Sequence, residues 1–275
     1  MTVSKTERGD AGGHQCRTLG GNVIADKFRL DGKVAIVTGS GRGIGQCIGL
    51  TFAEAGAKVV FAARTEKDIQ ENADKAKAMG AQALAVKCDV MDDHQLKALV
   101  DKTIQAFDKI DIIVNNVGGS RPNQIAGTSR EQFIKAFDFN VATTFSFTRI
   151  CLPYLKESKG CIINISSAAG RLVQPNFTVY GTLKAAVDHL TRLMASDLAP
   201  DVRVNAIAPG SIVTDALKGF LEPSLRQKMA ELTPMKRLGN PEDIAAAALY
   251  LASPAGGWVT GKILQVEGGS VTTNM

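Results

Sequence analysis

The sequence predicts an α/β fold: a single doubly wound, seven-stranded parallel sheet with helices on both faces. Three observations predict it. From Lys33 onward, short β-branched runs alternate with longer helical patterns. The short runs are almost continuously apolar, as strands buried on both faces must be. No linker-like gap divides the chain after Phe28, so the alternation belongs to one domain built from right-handed crossovers.

The elements follow in order. Residues 1–27 are polar and glycine-rich (Gly9, Gly12, Gly13, Gly20, Gly21) with no apolar period. They read as a flexible N-terminal arm, or as an arm that covers a neighbouring subunit. The arm has no apolar stretch of a secretory signal, and Glu7, Asp10 and Asp26 count against an organellar transit peptide. The domain then spans 28–275. Strands are expected at Val34–Val37, Val59–Ala62, Ala83–Val86, Ile110–Val114, Cys161–Ile165, Val202–Ile207 and Ile263–Val266. Between them, helical periodicity covers Ile44–Ala55, Glu66–Met79, Asp92–Phe107, Ser129–Leu155, Val179–Leu198 and Pro241–Ala252. Residues 215–240 are irregular, apolar on one side and charged on the other, and read as a mobile substrate lid or an amphipathic connector.

Composition narrows the function. With 275 residues, 45% hydrophobic and 21% charged, the chain can bury a sizeable core without disulfides or structural metal. No run of 18 or more apolar residues occurs, so no membrane span is expected. The net charge of +5 comes from 32 basic and 27 acidic residues spread along the chain. This spread argues against nucleic-acid binding, which needs a clustered basic face. Cys16, Cys47, Cys88, Cys151 and Cys161 form an odd, scattered set with no ligand spacing. They read as reduced thiols of a cytoplasmic protein, the last four as small packing residues. His14, His94 and His189 are too scattered for a metal site.

After the first strand comes Thr38-Gly39-Ser40-Gly41-Arg42-Gly43-Ile44-Gly45 and then a helix. Gly39 and Gly43 let backbone approach a pyrophosphate, and Gly45 lets the helix pack on the strand. The helix N-terminus offers N–H groups and partial positive charge to the phosphate. A tight turn without ligand is the plainer alternative, but four glycines so close together weaken local structure without a ligand to explain them.

This turn, with TGxxxGxG spacing, resembles that of the short-chain dehydrogenase/reductase family. Further matches follow in order: Asn115-Asn116-Val117-Gly118 after the fourth strand, Asn140 within the long helix, and Ser167 followed by Tyr180-x-x-x-Lys184. Pro209-Gly210 and Thr214 follow the sixth strand, and Val266-Glu267-Gly268-Gly269 ends the domain. The resemblance covers about residues 28 to 270 and points to hydroxysteroid-dehydrogenase-like or 3-oxoacyl-[acyl-carrier-protein] reductase-like members. It implies a Rossmann-type sheet and a homotetramer in which two long helices pair between subunits. Val117 departs from the family's alanine and adds bulk. Gly119-Ser120-Arg121-Pro122 extends the loop towards the substrate mouth.

The cofactor follows from charge. A dehydrogenase preferring NAD commonly ends its second strand with an acidic residue on the ribose. Here that position is Ala63, followed by Arg64, and Arg42 lies in the glycine turn. Two guanidiniums favour a phosphate monoester, so NADP(H) is expected. Solvated surface arginines are the alternative, and Glu66 lies close by. The resemblance assigns adenine to Asp89 of Cys88-Asp89-Val90, with a strand-end cap as the alternative. It assigns the nicotinamide amide and phosphates to Ile212 and Thr214.

Tyr180 and Lys184 share one helix face. Lowering a phenol from about 10 to about 7 takes roughly 4 kcal/mol. A cation about 4 Å away, at an effective dielectric near 20, supplies about that much. Tyr180 is therefore expected to exchange protons with a substrate oxygen, with the Ser167 hydroxyl holding that oxygen. The resemblance has Asn140 hold a water that links Lys184 to solvent, and has Lys184 bind the nicotinamide ribose. Ser166 competes with Ser167, but the thirteen-residue spacing to Tyr180 favours Ser167. A hydrolytic serine is the weaker reading, since no Gly-x-Ser-x-Gly elbow occurs. A domain that only senses the dinucleotide is the non-enzyme alternative. For the substrate, Leu217, Phe220, Leu221, Met229, Val173, Gln174 and Phe177 suggest an apolar pocket for a steroid or another bulky ketone. Lys218, Arg226, Lys228, Lys236 and Arg237 suggest an acidic acyl carrier instead.

Overall fold

The computed structural model describes residues 23–214 and 222–270. A helical turn, α1 (Val23–Asp26), precedes β1 (Val34–Thr38), α2 (Gly43–Glu54), β2 (Lys58–Ala63), α3 (Glu66–Ala78), β3 (Ala83–Lys87), α4 (Asp93–Phe107) and β4 (Ile112–Asn115). Then come α5 (Arg130–Phe137), α6 (Thr143–Glu157), β5 (Cys161–Ile165), α7 (Thr178–Leu198), β6 (Arg203–Pro209), α8 (Pro223–Leu232), α9 (Pro241–Ala252) and β7 (Ile263–Val266). The folded part thus starts a few residues before the expected Phe28. The Lys27 carbonyl accepts from the Ala255 N–H at 2.9 Å, which ties this entry segment to the domain. Residues 1–22 of the expected arm lie outside the described residues, and its end, Val23–Asp26, is the helical turn α1.

The seven strands are parallel, in the order β3-β2-β1-β4-β5-β6-β7. Along β1, Ala35 and Val37 face one side and Ile36 the other, and all are fully buried. Ala35 and Val37 meet Ile48 and Phe52 of α2 and Ile244 of α9 in one core. Ile36 joins Leu96 and Leu99 of α4 with Phe147, Cys151 and Leu155 of α6 in the other. Burial on both faces explains why the strands are apolar at successive positions. Among the described residues, no helix is long and apolar enough to cross a membrane.

One expected element is broken. The predicted helix Ser129–Leu155 is α5, a π-turn at Asp138–Ala142, and α6. Ser129 starts α5 with a capping box, its hydroxyl accepting from Gln132 N at 3.2 Å. Apolar periodicity runs through the junction, so the sequence pattern does not register the extra residue. The π-turn is where Asn140 sits, and such turns often mark functional positions.

The strand order reverses between β1 and β4, which opens a crevice at their carboxyl ends. Thr38 closes its floor: its hydroxyl donates to Val114 O at 3.0 Å and accepts from Asn116 N at 3.2 Å. Asn115 donates to Asn164 Oδ1 at 2.8 Å, and Asn164 donates to Thr191 Oγ1 at 2.9 Å. This buried ladder fixes α7 against β4 and β5, because leaving any member unpaired would cost about 1–3 kcal/mol.

Candidate active site

The chain leaves β1 through Gly39 and Gly43, whose φ values of 63° and 59° favour glycine. Arg42 caps α2 with extended backbone and no side-chain hydrogen bond, leaving the first-turn N–H groups for another acceptor. Gly39, Gly41, Arg42, Gly43 and Ile44 line a cleft of about 790 Å³. Gly45 stands behind it: a Cβ there would lie 2.5 Å from Gly39 O and from Asn116 Nδ2, which is the close helix–strand packing expected of it. Ser40 is expected among the cofactor contacts, and its side chain points away from the cleft. It is fully buried and accepts from Ala62 N at 2.8 Å, so it fastens the turn to β2 and does not line the cleft.

Arg64, Asp89, Val90, Asn116, Val117, Gly118, Pro209, Gly210, Ile212 and Thr214 all line the cleft. Asn116 is also structural, its amide donating to Thr38 O and Gly39 O at 3.1 Å each. Asp89 doubles as a strand-end cap, accepting from Met91 N at 3.1 Å. Sequence reasoning missed Asp68 and Phe139, which line the same cleft.

At the other end of the cleft stand Ser167, Tyr180 and Lys184. Ser167 follows β5 and caps a short 3₁₀ turn, Ala168–Gly170, by accepting from Ala169 N at 3.2 Å. Tyr180 opens α7, with the Phe177 ring edge-on at 6.0 Å. Lys184 Nζ lies 5.7 Å from the Tyr180 ring centre and donates to Ile165 O at 2.9 Å. Asn140 is buried and does not line the cleft. Its carbonyl oxygen accepts from Gly119 N at 2.8 Å, and its amide donates to Gly119 O at 3.1 Å and Ala136 O at 2.9 Å. A Cβ on Gly118 would lie 2.8 Å from Asn140 Oδ1 and 3.0 Å from Lys184 Nζ, so the three residues meet there.

Comparisons with known proteins agree with this geometry. A family model described as Enoyl-(Acyl carrier protein) reductase matches residues 39–271. The 7α-hydroxysteroid dehydrogenase of Escherichia coli K12 is 45% identical over 249 residues, which cover 90% of this chain and 97% of that protein. The chain belongs to the short-chain dehydrogenase/reductase family. A solved 7α-hydroxysteroid dehydrogenase, complexed with NADH and 7-oxo glycochenodeoxycholic acid, superposes with a TM-score of 0.88. It is 43% identical, over 91% of this chain and 99% of its own. The 3-oxoacyl-[acyl-carrier-protein] reductase of Thermotoga maritima is 33% identical, over 89% of this chain and 100% of its own. This chain is therefore an oxidoreductase of a family that uses a nicotinamide dinucleotide. The cleft suits such a group: the glycine turn and uncapped α2 N-terminus stand at one end, Tyr180 and Lys184 at the other.

Burial acts on both members of the Tyr180–Lys184 pair. Burial pushes the Tyr180 phenol up, opposed by the neighbouring Ser167 hydroxyl. Burial also lowers Lys184 to about 8. Burial thus opposes charge on both members of the pair, and at about 8 Lys184 still carries its ammonium at neutral pH. Asp188 offsets part of this on Lys184. Asp188 is buried one helical turn after Lys184, and burial pushes its own carboxyl up, while Ser166, Arg192 and Lys184 pull it down. Its Oδ1 has no hydrogen-bond partner among the described residues. Extending the four-residue spacing from Tyr180 and Lys184 by one turn would have found it.

On the substrate side, Ser120, Arg121 and Pro122 line the cleft as expected, and so does Phe177. Val173 does not: it is 94% exposed on the turn before α7, and Gln174 does not line the cleft either. Leu217, Lys218, Phe220 and Leu221 lie outside the described residues. Pro223 starts α8, and Met229 anchors it in the interior. Arg237 is held by Asp243 at 2.7 and 2.8 Å, and Lys236 donates to Glu231 O at 2.8 Å.

Proposed function

We propose that this chain interconverts a secondary alcohol and a ketone with NADP(H), using Tyr180 as the proton-transfer group and a hydroxysteroid-like or other bulky hydrophobic substrate. The observation that carries the reading is that Ser167, Tyr180 and Lys184 line the same cleft as the glycine turn. In reduction, the Tyr180 hydroxyl gives its proton to the carbonyl oxygen, and in oxidation the phenolate takes one from the alcohol. Ser167 donates to the same oxygen and steadies the charge that develops on it. Lys184 would hold the nicotinamide ribose, and its ammonium supports the phenolate. Asn140, through Gly119, holds the loop against which Lys184 packs. The nicotinamide, when bound, supplies or accepts the hydride.

NADP(H) is favoured because β2 ends at Ala63, and because Arg42 and Arg64 both line the cleft without an ion pair among the described residues. The solved relative holds NADH, so the preference for NADP(H) rests on Arg42 and Arg64 of this chain. The steroid-like substrate is supported by the 45% identity to a hydroxysteroid dehydrogenase against 33% to the 3-oxoacyl reductase. Arg237 is also committed to Asp243. Exposed Lys228 on α8 keeps an acyl-carrier substrate as the second reading. A pure dinucleotide sensor would have no use for the Tyr180–Lys184 pair. Exposed Ile134, Phe137, Phe145 and Leu193 on α5, α6 and α7 support self-association, proposed here as a homotetramer.

The test is NADPH and NADH oxidation with 7-oxo bile acids, cyclic diketones and β-ketoacyl thioesters. The expected result is turnover of a bulky ketone with NADPH preferred. Turnover only of acyl thioesters would favour the second reading. Dinucleotide binding with no turnover across the panel would favour the sensor.

A further inference from the structure

At the glycine-turn end of the cleft, two guanidiniums share the wall with a carboxylate. Arg42, Arg64 and Asp68 line it together with Gly41, Ala63 and Thr65, while Glu66 does not. Asp68 lies in the first turn of α3 and is half-buried. It makes no hydrogen bond or ion pair with any described residue. The fold fixes its position. Asn72, one helical turn later on the same face, donates to Ser40 O and Gly41 O at 2.9 Å each, locking α3 onto the turn. A Cβ on Gly41 would lie 3.2 Å from Asp68 Cβ, 3.5 Å from Asp68 Oδ2 and 3.7 Å from Ala63 Cβ. Gly41 thus leaves room for a carboxylate beside the end of β2, where the strand itself supplies only a methyl group.

We propose that Asp68 sets the cofactor ratio. It supplies from α3 the acid that β2 lacks at Ala63, so the chain accepts NAD(H) alongside NADP(H). This rests on the reading that the cleft binds the dinucleotide with its adenosine end at Arg42 and Arg64. A carboxylate there accepts hydrogen bonds from ribose hydroxyls and repels a phosphate monoester, while the arginines do the reverse. Selectivity is the difference between these opposed terms.

Equilibrium binding of NADP⁺ and NAD⁺, measured by calorimetry on wild type, Asp68→Asn and Arg64→Gln, separates them. Asp68→Asn is expected to raise the ratio of NADP⁺ to NAD⁺ affinity by about tenfold, and the kcat/KM ratio should follow. An unchanged ratio in a folded Asp68→Asn protein overturns the proposal. Asp68→Ser, which keeps a small polar side chain at the helix start, serves the same test if Asn does not fold. Arg64→Gln tests the underlying preference independently. If it leaves NADP⁺ affinity unchanged, the arginine reading fails, whatever Asp68 does.

Discussion

Lys184 carries a charge that its surroundings oppose. Held in the interior against Ile165 O, it falls to about 8. A lysine lowered below its usual range loses its ammonium as pH rises through that value, and with it the support for Tyr180. Ketone reduction is therefore expected to decline above about pH 8, and a kcat–pH profile flat to pH 10 would contradict this. Asp188 works against the lowering. Asp188→Asn should move the alkaline limb to lower pH with little change in KM, whereas a purely packing role would leave the limb in place. Gly118 gives a sharper steric test. Gly118→Ala would press a methyl on Asn140 Oδ1 and Lys184 Nζ, and about 100-fold lower turnover is expected from displacing them. Near-normal kcat would refute that contact. At this scale Ser167, Tyr180 and Lys184 were legible because their spacing is local to a strand end and one helix. Asp68 was not legible, because it reaches the cleft from the helix after β2 and only the lock between Asn72 and the turn reveals it.

Among the elements, the strands were readable because burial on both faces leaves runs of β-branched residues with no polar interruption. The π-turn at Asp138–Ala142 was unreadable, because one added residue changes the hydrogen-bond ladder without disturbing apolar periodicity. Its effect is to turn Asn140 towards Gly119 and away from solvent. The α2 packing makes a paired prediction. Gly45→Ala forces a Cβ within 2.5 Å of the Gly39 carbonyl, while Gly127→Ala meets nothing within 4 Å. Gly45→Ala should lose about 1–3 kcal/mol in denaturant melts, as overpacked sites do. Gly127→Ala should stay within about 0.5 kcal/mol. Equal stabilities would mean that α2 does not rest on β1 as described.

Over the whole molecule, the two cores carry the buried thiols. Burial raises Cys47 and Cys88 to about 11, and raises Cys151 and Cys161 as well. Thiols raised in the folded state ionise first in the unfolded chain, so stability falls as pH rises from about 9 through 11. Lowered Lys184 acts in the opposite sense, since the unfolded lysine keeps its proton above pH 8. Four thiols outweigh one lysine, and melting temperature is expected to fall between pH 9 and 11. A rise would show the lysine dominating, and Cys151→Ala should flatten the slope. The order of the sheet was legible at this scale because alternation of strand and helix leaves few topologies. Substrate choice was less so, because residues far apart in sequence gather at the mouth and Val173 turns outward. The most direct test of the proton-transfer assignment is Tyr180→Phe, with NADPH binding and ketone turnover measured on the same preparation. The expected result is turnover lowered by about 10²–10⁴-fold with NADPH affinity retained. Near-wild-type turnover with intact binding would contradict it.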